Sequence, residues 1–589
     1  MDASHAPNIN HLWAALLVDE LVRQGVTFFV VCPGSRSTPL AVAVGEHPQA
    51  EALVHWDERA AAFVALGWGR ATGHPAAVVT TSGTAVANLL PAAVEADADG
   101  VPLLLLTADR PPELRETGAN QTVRQPPVFR DVARWALDWP VPTPDVPARW
   151  VLSTAAHAVH RALAPPGPVH LNLPFREPLG RQPDGLDGAA YLDELAERGR
   201  GGARAVRAAR IDGEPFEGAT EISGVAATLR EVERGLVILA APGQAGQGAE
   251  RLASALGWPL LVDVRARGAA GLPAYDLALA SARFRAEARP EAVVHIGGRL
   301  TSKRLGQLVA AARPSLYVQL TETAVRSDPD SVVTDRLVGP LEASVAALAR
   351  SAAGDPRPPS SWQGAWEAAA AAAAGCIDAL SGLSEVSVAR QLARREGPLV
   401  AAASMPIRDL LAVGAQGVTA NRGASGIDGT VATAHGVARG SRQPVTLLIG
   451  DLALLHDQTS LALLRGGPPV TVVCINNDGG GIFHRLPIAD GPGALAPDTF
   501  ERLFGTPHGL AFEHAARQVG LAYHAPDTLE AFEEALAAAR GSGASALIEV
   551  RTNREAQAAL RRQLEAAAAA AVDAALGAPD VGTPPGAST

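Results

Sequence analysis

Residues 445–480, VTLLIGDLALLHDQTSLALLRGGPPVTVVCINNDGG, contain two short apolar runs, and polar residues follow each of them. The pattern predicts a buried strand over 445–449 that ends at Gly450-Asp451, and a second strand over 470–475 that ends at Asn476-Asn477. A helical pattern separates the two, so they are expected to be parallel strands of one sheet. Their polar ends then lie at the same edge of that sheet.

This edge is a candidate metal site. A carboxylate, an amide oxygen and a backbone carbonyl are the oxygen ligands that Mg²⁺ prefers, with phosphate oxygens and water completing the shell. Asp451, Asn477 and the carbonyl of Gly479 are therefore predicted to bind Mg²⁺ or Mn²⁺. Spacing alone also permits two ordinary strand-to-loop turns that are rich in Gly and Asn.

Composition limits the function classes. A chain of 589 residues is long enough for roughly three or four domains. Its formal net charge of −11 argues against a nucleic-acid partner. No apolar run reaches the length of about 18 residues that a membrane-spanning helix needs, so membrane insertion is not expected. Cys32, Cys376 and Cys474 make an odd total without C-x-x-C spacing, which predicts buried thiols in a cytoplasmic protein.

Strand and helix patterns alternate along most of the chain. We therefore predict an α/β protein with three doubly wound parallel-sheet domains. The expected boundaries are an N-terminal domain (1–180), a linker (181–220), a central domain (221–355), a third domain (376–560) and an Ala/Pro/Gly-rich tail (561–589). The tail is predicted to be a frayed helix followed by a disordered end.

Lys303 is the single lysine among 50 basic residues. A position that stays lysine in an arginine-biased chain suggests a need for a compact ammonium group, although chance retention explains it too.

A second motif lies in the first domain. Glu58, in VHWDER (54–59), precedes a Gly- and Ala-rich helical pattern over 60–72 and a predicted strand over 76–80. Together with the polar edge after residues 449 and 475, this resembles the ketoacid decarboxylase and transketolase superfamily, whose cofactor is thiamine diphosphate. The resemblance implies that the third domain binds the diphosphate through the metal and that Glu58 binds the pyrimidine ring. Leu452 departs from the superfamily pattern, which has glycine there.

Five further segments indicate one family within this superfamily. They are CPGSRSTPL (32–40), TADRPPEL (107–114), GANQ (118–121), NRGASGIDG (421–429) and GGIF (480–483). In this order they resemble the 2-succinyl-5-enolpyruvyl-6-hydroxy-3-cyclohexene-1-carboxylate synthases of menaquinone biosynthesis, over about residues 10–555. The resemblance implies a transferase that decarboxylates 2-oxoglutarate and adds the succinyl-semialdehyde carbanion to isochorismate. It also implies a homodimer or homotetramer, with active sites at the interface between one chain's pyrimidine-binding domain and its neighbour's diphosphate-binding domain.

The resemblance also implies roles for individual residues. Glu58 is the catalytic residue, and the expected cofactor-binding residues are Glu58, Ile427, Gly450, Asp451, Asn477, Ile482 and Phe483. The residues expected to bind mainly the 2-oxoglutarate-derived part are Ser404, Arg408 and Arg422, and those for isochorismate are Ser35, Arg36, Arg110, Gln121, Lys303 and Arg304. For any one of these arginines a surface ion pair is the plainer interpretation. Ala402-Ala403 stands where the family has Gly-Asn, so any role of that Asn side chain is absent.

Two alternatives remain open. The chain could be another thiamine-diphosphate enzyme, such as an acetolactate synthase or a simple 2-oxoacid decarboxylase. It could also be a non-catalytic paralogue that serves as a binding scaffold. The number of arginines within the motifs argues against the first alternative, and the presence of Glu58, Asp451 and Asn477 argues against the second.

Overall fold

The computed structural model describes residues 5–196, 219–240, 245–323, 325–354 and 360–577. These residues form three β-sheets in which every paired strand is parallel, with helices between the strands. The predicted α/β fold with three doubly wound domains is confirmed.

The first sheet belongs to the N-terminal domain. Its strands are β1 (Phe28–Val31), β2 (Glu51–Val54), β3 (Ala76–Thr80), β4 (Leu103–Asp109), β5 (Trp135–Asp138) and β6 (Pro168–Pro174). Its helices are α1 (Ile9–Arg23), α2 (Thr38–Glu46), α3 (Glu58–Thr72), α4 (Thr84–Ala87), α5 (Leu90–Asp99), α6 (Ala148–Leu163) and α7 (Gly188–Ala196). The strand order is β2-β1-β3-β4-β6-β5.

The second sheet has the order β11-β10-β9-β7-β8 and forms the central domain. Its strands are β7 (Gly235–Ala240), β8 (Leu260–Val262), β9 (Ala292–Gly297), β10 (Leu316–Thr321) and β11 (Asp335–Val338). Its helices are α8 (Ala219–Glu231), α9 (Gly246–Leu256), α10 (Tyr275–Ala278), α11 (Ala282–Glu287), α12 (Lys303–Ala312) and α13 (Leu341–Ala352).

The third sheet contains the predicted metal edge. Its strands are β12 (Leu399–Ala401), β13 (Val418–Thr419), β14 (Val445–Gly450), β15 (Val470–Asn476), β16 (Ala522–His524) and β17 (Ala546–Arg551), in the order β13-β12-β14-β15-β17-β16. The helices are α14 (Ser361–Asp378), α15 (Glu385–Ala393), α16 (Met405–Ala412), α17 (Thr430–Ser441), α18 (Asp451–His456), α19 (Pro497–Phe500), α20 (Glu513–Gln518), α21 (Leu529–Gly541) and α22 (Arg554–Ala575).

The inner strands of these sheets are covered on both faces. All seven residues of β4 and all seven of β15 are buried, and most of them are Leu, Val or Ile. Parallel sheets need helices on both faces, which explains why these strands appear as continuous apolar runs in the sequence.

Helices α3 and α17 pack the first domain against the third. They touch at two glycines, Gly67 of α3 and Gly436 of α17. A Cβ atom on Gly436 would lie 2.0 Å from the backbone oxygen of Val64, and a Cβ on Gly67 would lie 2.2 Å from that of Thr433. The two backbones can approach this closely only because both positions lack side chains.

The predicted linker over 181–220 includes the helix α7, and its residues 197–218 lie outside the described residues. One other expectation needs correction. The alanine-rich segment after residue 561 is not a frayed end, because it continues α22 to Ala575 and packs against α14. Leu564, Ala568 and Val572 are buried in that contact. The predicted disorder at 578–589 also lies outside the described residues.

Within the described ranges, no helix combines the length and the apolar character that crossing a membrane requires.

The α3–α17 contact generates a prediction. Gly436→Ala should lower the free energy of unfolding by about 1–3 kcal/mol, because the new methyl group overlaps backbone atoms that cannot move aside. Denaturant unfolding measures this change. Gly364→Ala is the matched control, since a Cβ there meets nothing within 4 Å and alanine favours the helix by up to about 1 kcal/mol. Equal stabilities of the two variants would contradict close packing at Gly436.

Candidate active site

Asp451 and Asn477 lie side by side at the carboxyl edge of the third sheet. Strands β14 and β15 pair in register, with Gly450 opposite Ile475. The Oδ2 atom of Asp451 accepts hydrogen bonds from the backbone N–H groups of Asn477 (3.1 Å) and Gly479 (2.9 Å). Burial raises the pKa of Asp451, and the N–H donors, Gly479 first among them, offset part of that rise. The carboxylate is therefore oriented by the backbone of the neighbouring strand end.

Gly479 takes a conformation that other residues avoid. Its φ angle is +134°, and a Cβ atom would lie 2.0 Å from the carbonyl oxygen of Gly505. Only glycine fits this turn, which places the 479 backbone directly beside Asp451.

A cavity of about 190 Å³ opens at this edge. Its lining includes Ser404, Ile427, Gly450, Asp451, Leu452, Asn477, Gly479, Ile482 and Phe483. The structure thus brings together the residues predicted to bind the cofactor, except Glu58. Leu452, which replaces the family's glycine, forms part of the wall.

The donor set at this edge fits a hard divalent cation. Asn477 is buried, and its Oδ1 atom has no hydrogen-bond partner among the described residues. A buried acceptor without a partner costs about 1–3 kcal/mol unless a ligand satisfies it. No cluster of three His, Cys, Asp or Glu side chains in the described ranges could hold a metal. A cation here must therefore use Asp451, the Asn477 amide oxygen and backbone or phosphate oxygens.

His508 is a neighbour of the metal edge that the sequence did not indicate. Its Nδ1 atom accepts a hydrogen bond from the backbone N–H of Leu510 (3.0 Å), so the proton of the neutral ring is on Nε2. Nε2 then donates to Oδ2 of Asp451 at 3.3 Å. A lone histidine in a distant loop carries no motif that could have revealed this contact.

Arg408 and Arg422 converge beside the cavity. Both donate to the backbone oxygen of Ala403 at 3.1 Å, and Arg408 also donates to that of Ser404 at 2.6 Å. Burial lowers the pKa of Arg408, and the charge of Arg422 lowers it further. The Ser404 side chain makes no capping bond to α16. Two adjacent cations with a nearby hydroxyl form a suitable site for a carboxylate.

The turn that carries Arg422 is attached to the first domain. Glu95 accepts hydrogen bonds from the backbone N–H groups of Gly423 (2.9 Å), Ala424 (2.6 Å) and Ser425 (3.4 Å). Arg70 of α3 donates to the same carboxylate at 2.6 Å. Glu95 is only 2% exposed, so these buried hydrogen bonds hold the turn against the first domain, and Arg70 balances the charge of the carboxylate.

A second cationic cluster lies at the carboxyl ends of strands in the first domain. Arg36 donates to the backbone oxygen of Phe175 at 2.9 Å. Arg110 donates to the Ser82 hydroxyl and to the Gln121 backbone oxygen. Burial lowers the pKa of Arg110, and the neighbouring Arg36 adds to that shift. The structure therefore brings Arg36, Arg110 and Gln121 together.

Ser35 adjoins Arg36 in the chain and is exposed at this edge of the first sheet. Its hydroxyl is the remaining neutral donor among the predicted isochorismate-binding residues.

Lys303 and Arg304 begin α12 in the central domain. Lys303 is exposed in the first turn, where the helix dipole disfavours a cation. Arg304 pairs with Asp276 (2.9 Å) and with Glu565 of α22 (2.7 Å). The charge of Arg304 is thus matched within the chain, whereas that of Lys303 faces solvent.

Glu58 does not line the cavity at Asp451. It begins α3, half-buried, and accepts a hydrogen bond from the Asn88 side chain at 3.2 Å. Among the described residues, none from the first domain lines the cavity at Asp451. Val54 and Trp56, just before Glu58, are 60% and 66% exposed.

Three models of thiamine pyrophosphate enzymes match the chain. They describe the N-terminal TPP binding domain (residues 13–128), the middle domain (227–398) and the C-terminal TPP binding domain (411–550). Together they cover most of the chain, so the prediction of a thiamine diphosphate enzyme is confirmed.

Curated relatives match over nearly the whole length. The chain is 50% identical to a 2-succinyl-5-enolpyruvyl-6-hydroxy-3-cyclohexene-1-carboxylate synthase of Rubrobacter xylanophilus, with 95% of this chain and 98% of the relative covered. It is 47% identical to the synthase of Salinibacter ruber, with 96% and 98% covered, and 40% identical to that of Chlorobium luteolum, with 94% and 96% covered. The chain belongs to this family of menaquinone-biosynthesis synthases, which favours the predicted enzyme over an acetolactate synthase.

Proposed function

We propose that the chain decarboxylates 2-oxoglutarate and adds the resulting four-carbon unit to isochorismate, with thiamine diphosphate as cofactor. The products are 2-succinyl-5-enolpyruvyl-6-hydroxy-3-cyclohexene-1-carboxylate and CO₂. Beyond family membership, the observation that carries this proposal is the pair of arginine clusters, Arg408 with Arg422 and Arg36 with Arg110. Both substrates are dicarboxylates, and each requires fixed cations.

The third domain would hold the cofactor's diphosphate. Asp451, Asn477 and the Gly479 carbonyl would bind Mg²⁺ or Mn²⁺, and Gly450 would leave room for the phosphates. When bound, thiamine diphosphate supplies a carbon nucleophile that adds to the 2-oxoacid, and the cofactor's ring accepts the electrons released with CO₂.

Three apolar side chains would shape the rest of the cofactor cavity. Ile427, a large apolar residue that is 40% exposed, would pack against the cofactor. Ile482 and Phe483 would also line the cavity and exclude water from it.

Glu58 would share a proton with N1′ of the cofactor's pyrimidine ring and so favour removal of the C2 proton. Because Glu58 does not line the cavity of its own chain, we propose that the partner subunit supplies it. The exposed Val54 and Trp56 beside Glu58 support an interface at this position. A homodimer is then the smallest competent unit, and a homotetramer would contain two of them. The cytoplasmic location and the domain boundaries stay predictions.

The two substrates would occupy different clusters. We assign the 2-oxoglutarate-derived part to Ser404, Arg408 and Arg422, which surround the Ala403 carbonyl. We assign isochorismate to Ser35, Arg36, Arg110, Gln121, Lys303 and Arg304. Because Arg304 already pairs with two carboxylates, Lys303 is the stronger candidate of that pair for a direct contact.

The proposed reaction predicts a strict requirement for four components. Purified protein would be incubated with thiamine diphosphate, Mg²⁺, 2-oxoglutarate and isochorismate, and each component would be omitted in turn. Mass spectrometry should detect the adduct, with matching CO₂ release, only in the complete mixture. Preferential turnover of pyruvate, or no consumption of isochorismate in the complete mixture, would contradict the proposal.

Lys303 generates the second prediction of this proposal. Lys303→Ala should reduce isochorismate use by about 10- to 150-fold, because a charge-assisted hydrogen bond contributes about 1.5–3 kcal/mol. CO₂ release from 2-oxoglutarate alone, coupled to an artificial electron acceptor, should change little. Lys303→Arg keeps the charge and should lose less activity than Lys303→Ala.

Arg313→Ala is the matched control for Lys303→Ala, because it removes an exposed cation from the other end of α12. Its activity should stay near the wild-type value in both assays. If Lys303→Ala lost activity equally in the two assays, Lys303 would bind 2-oxoglutarate or have a structural role instead.

A further inference from the structure

The orientation of the Asn477 amide is determined by one buried acid. Asn477 Nδ2 donates to Oε1 of Glu385 at 2.9 Å, while its Oδ1 has no partner among the described residues. The reverse orientation would place the amide oxygen against a carboxylate oxygen, and both are acceptors. Glu385 therefore selects the amide orientation in which Oδ1 is free for a ligand.

Glu385 is itself held firmly. It is 2% exposed at the start of α15. Arg561 of α22 donates to its Oε2 atom at 2.5 Å, and the Thr552 hydroxyl donates to its Oε1 atom at 3.0 Å. Its backbone N–H donates to the Gln557 side chain at 3.1 Å. These contacts leave the carboxylate little freedom to follow a movement of Asn477.

Arg561 also binds a second carboxylate. Its Nε and Nη2 atoms donate to the two oxygens of Asp409 at 2.9 and 2.6 Å. Asp409 and Glu385 thus share one buried guanidinium, but only Glu385 is hydrogen-bonded to Asn477. Replacing Asp409 should therefore weaken the ion cluster without changing the orientation of the Asn477 amide, whereas replacing Glu385 should affect both.

We propose that Glu385 is a positioning residue that keeps the Asn477 amide oxygen available to the divalent cation. The inference rests on the proposed metal site. Outer-shell partners that orient a metal ligand typically change metal affinity by about 10- to 100-fold when they are replaced. Glu385 therefore belongs to the metal-binding machinery although nothing in its sequence surroundings marks it.

In Glu385→Gln the new amide should turn its oxygen toward Arg561 and its NH₂ group toward Asn477. Asn477 then reverses to accept that N–H, and its oxygen leaves the cation position. We expect Mn²⁺ to bind about 10- to 100-fold more weakly to the full-length protein with saturating thiamine diphosphate. Electron paramagnetic resonance of free Mn²⁺ measures this affinity without reference to turnover.

Asp409→Asn is the matched control, because it removes one carboxylate charge from the same arginine. Thermal unfolding without ligands should show lower stability for both variants, whereas Mn²⁺ affinity should stay near wild type in Asp409→Asn. Equal weakening in both variants, or unchanged affinity in Glu385→Gln, would overturn the inference.

Glu385→Asp is the replacement variant if Glu385→Gln does not fold. It retains the negative charge beside Arg561, but its shorter side chain cannot reach Asn477 in the same way. Its Mn²⁺ affinity should also fall, and wild-type affinity in this variant would overturn the inference. Failure of the wild-type protein to bind Mn²⁺ would instead contradict the proposed metal site itself, and the inference with it.

Discussion

The hydrogen bonds from the Asn477 and Gly479 backbones to Asp451 join the ends of two neighbouring strands, and the proposed chemistry depends on that junction. They place the Asp451 carboxylate, the Asn477 amide and the Gly479 backbone at one edge of the sheet. All three residues line a cavity of about 190 Å³. Parallel pairing of β14 and β15 supplies the geometry, and the positive φ angle of Gly479 permits the turn. The proposed metal site is therefore built by the sheet edge rather than by one loop.

The positions of the proposed substrate-binding residues depend on contacts between domains. Glu95 of the first domain holds the turn that carries Arg422, and Glu565 of the third domain pairs with Arg304 of the central domain. The close crossing of α3 and α17 holds the first domain against the third, so that Glu95 can accept hydrogen bonds from the turn at Gly423. Cations concentrated in this way explain how a chain of net charge −11 could bind two anionic substrates.

Sequence reasoning located most of the inner strands, such as β14 and β15, because parallel strands covered on both faces are continuous apolar runs. It did not predict six short strands, β2, β5, β11, β12, β13 and β16. β12 lies inside its sheet but has only three residues, and β2, β5, β11 and β16 are partly exposed. The polar residues at strand ends were recognisable from their local pattern. Glu385, Glu95 and His508 were not, because a helix-start acid, an acid in an apolar helix and a lone histidine become functional neighbours only through tertiary packing.

In the proposed enzyme, a complete site combines Glu58 of one subunit with Asp451 of its partner. Co-refolding Glu58→Gln chains with Asp451→Ala chains tests it most directly, because each heterodimer would contain one site with both wild-type residues and one site with neither. On mixing, the two nearly inactive variants should regain a substantial fraction of wild-type activity. Strictly additive residual activities in verified heterodimers would show that each site is built within a single chain.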